Sequence, residues 1–432
     1  MADLKVSQEN DLGLAGIDGS VEYRVVKAGS TYKQNYDDLL TWIGSNVTPA
    51  TPTLQDTIDQ SRVLTNNNFY VGLISGQATS GNENIGIGTG AMSGGGSTTS
   101  CVAIGEYAGQ TTNFNGIGIG YFAGQGMALS QYVTAIGRNA FRGASSLYGI
   151  AIGLNAGAYQ TNLGISTSNN INIGVESGNN AKGSFGVYLG NQAGLYSYND
   201  FNVYVGALSG AGATGDRNIA LGTNTLYQNE GSDTIAMGHY AGLSNTGNNC
   251  FFAGSYAGYD IESYNNPNTG SSVIGIGYQS AGGNYQPNVI ALGDYAGYLN
   301  GGLECTFIGL NAGYGNGEDN SIGIGTNALG SNNGSNAIGI GVNAGYGNQG
   351  QQCFFIGWDA GNGNVANNVI AIGRNAGSGN NLGNSFIISN EYIPTFATST
   401  DANNYYSGNA PSSSSTYLYM DLSDNTIKCY RN

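Results

Sequence analysis

CTFIGLNAGY (305–314) and NVIAIGRNAG (368–377) are two copies of one phrase. CVAIGEYAGQ (101–110) and NVIALGDYAG (288–297) are two more. Each has an apolar triplet, a glycine, two variable residues, then a small residue and usually another glycine. The glycine closing the triplet recurs 19 times, from Gly72 to Gly373, and 13 of the 18 intervals are 16 residues long. Three more are 15 or 17, and the remaining two are 21 and 23. A fixed period in this range marks a solenoid, in which each repeat is one turn stacked on the last.

Within a turn, the residue before the glycine is Ile in 12 of 19 copies, and a second apolar column lies two residues earlier, as at Ile85, Ile150, Ile290 and Ile370. Residues two apart share a face of a strand, and the β-branched bias favours a strand over a helix. We read these two columns as the inward stripe. The residue between them, small at Gly86, Ala103 and Gly323 and aromatic at Tyr188, Phe252 and Phe355, is then outward. Three residues after the glycine stands Ala in 14 copies and Ser or Thr in the rest, a corner without room for more. Asn84, Asn202, Asn249, Asn320, Asn336 and Asn368 flank the triplets, where Asn suits left-handed turns and stacked ladders. The expected fold is all-β: a parallel β-solenoid or β-roll of about 19 sixteen-residue rungs, roughly 86 Å long at about 4.8 Å per strand. So thin a coil exposes two sheet ends and calls for caps and oligomerisation, so a homotrimer is expected.

The chain has 432 residues, 74 of them Gly, but no three-residue period, which excludes collagen. A net charge of −15 without a basic stripe argues against nucleic acid as a partner. No apolar run is long enough for a membrane-spanning helix, so no membrane insertion is expected, and MADLKVSQEN (1–10) does not read as a secretory signal. Cys101, Cys250, Cys305 and Cys353 occupy one repeat position, four before the glycine, and read as free packed thiols; Cys429 stands apart. No cofactor, metal or catalytic residue is assigned. The loose G-x-G-x-x-G matches are repeat turns. His239, the only histidine, reads as a surface rung residue. The acids Glu106, Glu176, Asp294 and Asp359 do not pair at one offset on successive rungs, as glycoside hydrolysis would need.

The ends do not repeat. The chain divides into 1–53, a terminal module with a Pro/Thr hinge; 54–65, a short helix placed to hold three chains together; 66–392, the solenoid; and 393–432, whose TYLYMDLSDNTIKCYRN (416–432) reads as a β-hairpin cap or tip. The stretch DLKVSQ…LAGIDGSVEYRVVKAGSTYKQNYDDLL (3–40) resembles the N-terminal module of bacteriophage fibre proteins. That resemblance implies docking on the virion through this module, with Leu39, Leu40, Trp42 and Ile43 as candidate attachment residues. The repeat is similar to the head domains of trimeric autotransporter adhesins, which implies a trimeric β-roll.

The expectation is therefore a non-enzymatic homotrimeric phage fibre, exposed on the particle surface. Its N-terminal module would meet other virion proteins, and its distal end a host-surface glycan or protein. Tyr256, Tyr259 and Tyr264, beside the insertion at 259–272, and Tyr417 and Tyr419 near the end are candidate binding residues; the first three serve equally to fill gaps between subunits. A purely structural head or tail decoration and a glycan depolymerase spike are the alternatives.

Overall fold

The computed structural model describes residues 67–388, apart from 78, 95–97, 111–114, 127–130, 145, 161–166, 199 and 260–267, together with the backbone of Glu22–Lys27, Ser30–Asn35, Thr416–Asp421 and Thr426–Arg431. The coil is a parallel β-solenoid. A single sheet of 22 strands runs from Phe69–Val71 to Phe386–Ile388, almost every strand being one apolar triplet paired in parallel with the triplets above and below. Ile322, Gly323 and Ile324, for example, stand opposite Ile338, Gly339 and Ile340. The ladder thus continues one rung beyond the last repeat glycine. Glu22–Lys27 pairs antiparallel with Ser30–Asn35, and Thr416–Asp421 with Thr426–Arg431.

Rungs are joined outside the strands as well. Gly325 and Asn327 donate to the carbonyls of Ile308 and Leu310 on the rung before, at 2.8 and 2.9 Å, while Ile322 and Leu329 donate to Ala337 and Ala344 on the rung after, both at 2.9 Å. Nearly the whole backbone of each turn is therefore satisfied by its neighbours. The repeat glycine is obligatory for two reasons. At Gly325 φ is +127°, and a Cβ would lie 2.5 Å from the carbonyl oxygen of Gly341 on the next rung. No L-side chain tolerates both.

The inward face is the reverse of the one read from the sequence. The middle residue of each triplet points into the coil: Ala103, Ala151, Tyr188, Phe252, Phe307 and Phe355 are fully buried. The flanking columns face outward, with Ile104, Ile152 and Ile324 each 37 % exposed. Strand alternation fixes which residues share a face but not which face is inside. Volume decides that, because the mid-triplet residue and the residue four after the glycine look into one space that holds a single large side chain.

This limit shows as a trade between two positions. Tyr70, Tyr188, Tyr204, Phe252, Phe307 and Phe355, in mid-triplet, each face a glycine on their own rung (Gly76, Gly194, Gly210, Gly258, Gly313 and Gly361) where a Cβ would meet the ring at 2.1–2.6 Å. Where that second position is large (Met92, Phe141, Leu226 and Leu329), the triplet centre is Gly86, Ala135, Ala220 or Gly323. The corner residues, from Ala91 to Ala376, are buried as their small size suggested.

Candidate interaction face

Turning the triplets inside out creates a surface. The two outer columns, among them Ile85, Ile150, Ile219, Ile235, Ile274, Ile290, Ile322 and Ile370, hold 36–41 % exposure although each is stacked between neighbours above and below. What remains open at these positions is about the outward third of each side chain, and it runs along the sheet as a mainly apolar strip, rich in Ile and interrupted at Thr134, Ala253 and Thr306. Monomeric proteins rarely leave apolar patches of this extent to water.

The corners beside this face are lined with columns at a positive φ. Two residues after the glycine come Asn311, Asn327, Asn343 and Asp359, with φ of 54–55°, joined by side-chain hydrogen bonds of 3.1, 3.0 and 2.9 Å. Earlier in the same column aromatic residues alternate with polar ones such as Asn139, Asn155, Glu176 and Gln192. Tyr107 stacks on Phe122 at 5.4 Å, and Tyr240 on Tyr256 at 5.2 Å. The row continues through Tyr278, edge-on to both Tyr256 (6.1 Å) and Tyr295 (5.4 Å), to Tyr298 and Tyr314.

Of the sequence candidates, Tyr256 lies in this row half-buried, and Tyr259, 6.5 Å from it, is only 7 % exposed, so it presents no open ring face. Tyr264, Leu39, Leu40, Trp42, Ile43 and the segment 54–65 lie outside the described residues. Tyr417 and Tyr419 stand on the strand Thr416–Asp421, opposite Tyr430 and Lys428. His239 is exposed, edge-on to Tyr240 at 4.2 Å.

Sequence reading missed two polar features. Asp200 and Asp216 do share one offset on successive rungs, and their oxygens accept the backbone N–H of Ser184 at 2.6 Å and of Asp200 at 2.9 Å. That bonding ties rung to rung. The second is a buried spine of ten asparagines, Asn229, Asn245, Asn268, Asn284, Asn300, Asn316, Asn332, Asn348, Asn364 and Asn380. Each amide donates to the oxygen of the one before it, at 2.8–3.2 Å. Its 16-residue spacing was visible, but the triplet-flanking asparagines drew attention instead.

Cys101, Cys250, Cys305 and Cys353 are free and buried. Burial pushes the Cys250 and Cys305 thiols up to about 11, against hydrogen bonds to the charged form that include those from Asn268 and Asn316. Most described cations are occupied by rings: Arg142 lies 4.5 Å from Phe122, Lys182 4.4 Å from Tyr198, Arg374 4.4 Å from Trp358 and Arg138 5.6 Å from Tyr121. Arg217 instead grips Asp233 through two bonds of 2.6 and 2.7 Å.

No protein-family model, curated protein or solved structure matches this chain.

Proposed function

We propose that the chain is one subunit of a homotrimeric, non-enzymatic fibre on a bacteriophage virion, in which the solenoid is a shaft that extends a host-contacting end from the particle. The observation that carries this reading is the outward isoleucine strip. A partner that covers it must offer an apolar group at every rung, at the same spacing, along the whole coil. Further copies of the chain have that pitch by construction, and three flat faces close around one axis without a leftover edge. Stiffness and multivalency are then the working properties, since three tips held together gain avidity without new contacts. Attachment through the N-terminal module rests on the resemblance of residues 3–40 to phage fibre modules.

Light scattering coupled to gel filtration tests the assembly. The expected mass is three times the 44.4 kDa of one chain, with an elongated profile. Ile324→Asp combined with Ile340→Asp is expected to give monomers at micromolar concentration, and a compact monomer from the unaltered chain refutes the assembly. For the virion role, antibody against residues 416–431 is expected to label the free ends of fibres in particle images. Particles carrying no label would sink that part alone.

A further inference from the structure

We infer that Gln279, with the tyrosines around it, forms a binding site for an uncharged saccharide on the flank of the shaft. Gln279 is 1 % exposed, and neither its amide nitrogen nor its amide oxygen has a hydrogen-bond partner. Among the described residues the other such atoms, the hydroxyls of Tyr70, Thr98 and Tyr204 and the side-chain oxygen of Asn139, are single. Here a donor and an acceptor are both unmet. A buried polar group left without a partner keeps the full cost of losing its water, so a pair retained together signals a missing partner. The repeat has a self-sufficient alternative in this very column, the bonded Asn311–Asn327–Asn343 run, and does not use it here.

The surroundings specify what the partner is. Gln279 occupies the column position between Tyr256 and Tyr295, at the rung whose glycine, Gly277, follows the one before it by 23 residues rather than 16. Tyr278 contacts both flanking rings edge-on, and the buried Tyr259 and Tyr298 support those rings from behind. A carboxamide offers an N–H and a C=O side by side, the complement of two neighbouring hydroxyls, and aromatic rings accept the C–H faces of a pyranose. Charge excludes acidic sugars: no Lys or Arg occurs between Arg217 and Arg374, and the chain carries −15. Because Gln279 is buried, hydroxyls reach it when a ring swings aside. Tyr278, half-exposed and touching both flanking tyrosines, is placed to do so.

The test uses the full chain and saturation-transfer NMR with glucose, galactose, mannose, N-acetylglucosamine and their short oligomers, with glucuronate as the charged control. At least one neutral sugar is expected to bind and glucuronate not to. Gln279→Met keeps the side-chain length and removes the amide. It is expected to weaken binding at least tenfold while leaving the thermal midpoint equal or higher, since an unpaired amide has gone. If that variant does not fold, Tyr278→Ala serves, with an expected change in affinity of threefold or more. No neutral sugar bound, binding unchanged in the variants, or glucuronate bound equally each overturns the inference. So does a Gln279→Met that loosens the oligomer and leaves sugar binding intact, which would place the amide in a subunit contact, or a midpoint drop alone, which would leave only an ordered water. The site does not depend on the virion reading, and the mass measurement stands or falls separately.

Discussion

From Gly72 to Gly206 and from Gly222 to Gly373 the coil has the same strand, corner and glycine column, but it buries its amides in different places. In the first region most stand four residues before the glycine, at Asn68, Asn84, Asn170 and Asn202, with Asn218 the last, and each accepts a backbone N–H from the following rung, as Asn84 does from Cys101 at 3.1 Å. Gln160 and Asn172 are buried elsewhere on their rungs, and Cys101 and Val133 hold the position on others. In the second region that position becomes Val273, Val289, Cys305, Ala337 or Val369, and the amides move to the position seven after the glycine, where they bond to one another. The difference is one of range. A side chain bonded to the next backbone ties two rungs, whereas amides in series polarise one another and tie ten. The intervals follow suit. Every 15, 17 and 21 lies in the first region, and the one long interval in the second is bridged, since Asn268 still reaches Asn245 at 2.8 Å across 23 residues.

The largest effect should come from a rule common to both regions, the exclusion of a large group at mid-triplet and another four after the glycine on the same rung. Gly361→Leu puts a Cβ 2.1 Å from the Phe355 ring at a φ of +63° and is expected to cost about 4 kcal/mol or more in urea unfolding. Adding Phe355→Ala reproduces the Gly323–Leu329 arrangement and should recover most of that loss, a coupling of about 2–3 kcal/mol. The equivalent pair in the first region is Tyr188 with Gly194, 2.4 Å from the ring, and it should behave alike. A double variant no better than the single would show that the trade does not govern packing.

The amides should separate the regions. Asn332→Leu leaves the oxygen of Asn316 without its donor, takes one of the two acceptors from the amide of Asn348, and removes the bond to the carbonyl of Gly334. We expect a loss of about 3 kcal/mol, with hydrogen-exchange protection falling several rungs in each direction. Asn84→Leu frees the amide of Cys101 and the carbonyl of Thr98, both on the following rung, and should cost about 1–2 kcal/mol with exchange rising only at Cys101 and its immediate neighbours. Equal spread in both variants would erase the distinction drawn above.

How far the sequence shows all this depends on what chemistry restricts. The glycine column and the Ala, Ser or Thr corner are legible because backbone angle and space permit nothing else. The parallel stacking follows from the period. The facing of the strand was not legible from alternation, since Ile, Ala and Phe are all apolar and either phase reads as a core. The sequence nonetheless held the answer in a correlation: Phe252 goes with Gly258 and Leu226 with Ala220, which makes sense only if both positions look into the same space. Tyr256 is marked in the sequence by its place beside an insertion, but the aromatic row it joins in the coil is not, because Tyr278 enters that row from a different position of the repeat. Gln279 carried no signal beyond interrupting a column of tyrosines.

Alkaline titration should distinguish the regions more weakly. The second holds three buried thiols, Cys250, Cys305 and Cys353, and the first only Cys101. Burial raises each above its ordinary value, to about 11 for Cys250 and Cys305. The unfolded chain therefore gives up these protons first. The stability they confer is complete below about pH 8.5, declines as pH rises toward 11, and is gone above it. At about 1.4 kcal/mol per unit, each of the two strongest is worth up to about 2–3 kcal/mol. Cys250→Ala with Cys305→Ala should flatten the decline between those limits in thermal melts of the second region. An unchanged slope would assign the alkaline loss elsewhere.

The smallest effect is expected where the two regions meet. Arg217 and Asp233 form a two-bond surface pair that flanks, in sequence, Asn218, the last amide of one arrangement, and Asn229, the first of the other. The geometry looks strong, and Arg217 holds the Asp233 carboxyl below its usual range. Both side chains are well exposed, however, at 54 % and 39 %, and water and salt screen such a pair almost completely. The junction has better support in the interior: Thr234 donates its backbone N–H to Asn218 at 2.9 Å, and the Asn218 amide donates to the carbonyl of Gly231, also at 2.9 Å, so the two amide systems overlap across one rung. Arg217→Ala should therefore leave the melting temperature unchanged at physiological ionic strength, while Asn218→Ala lowers it. If the arginine proved the more costly loss, the coil would be two separately folding lengths pinned at their surface, not one continuous shaft.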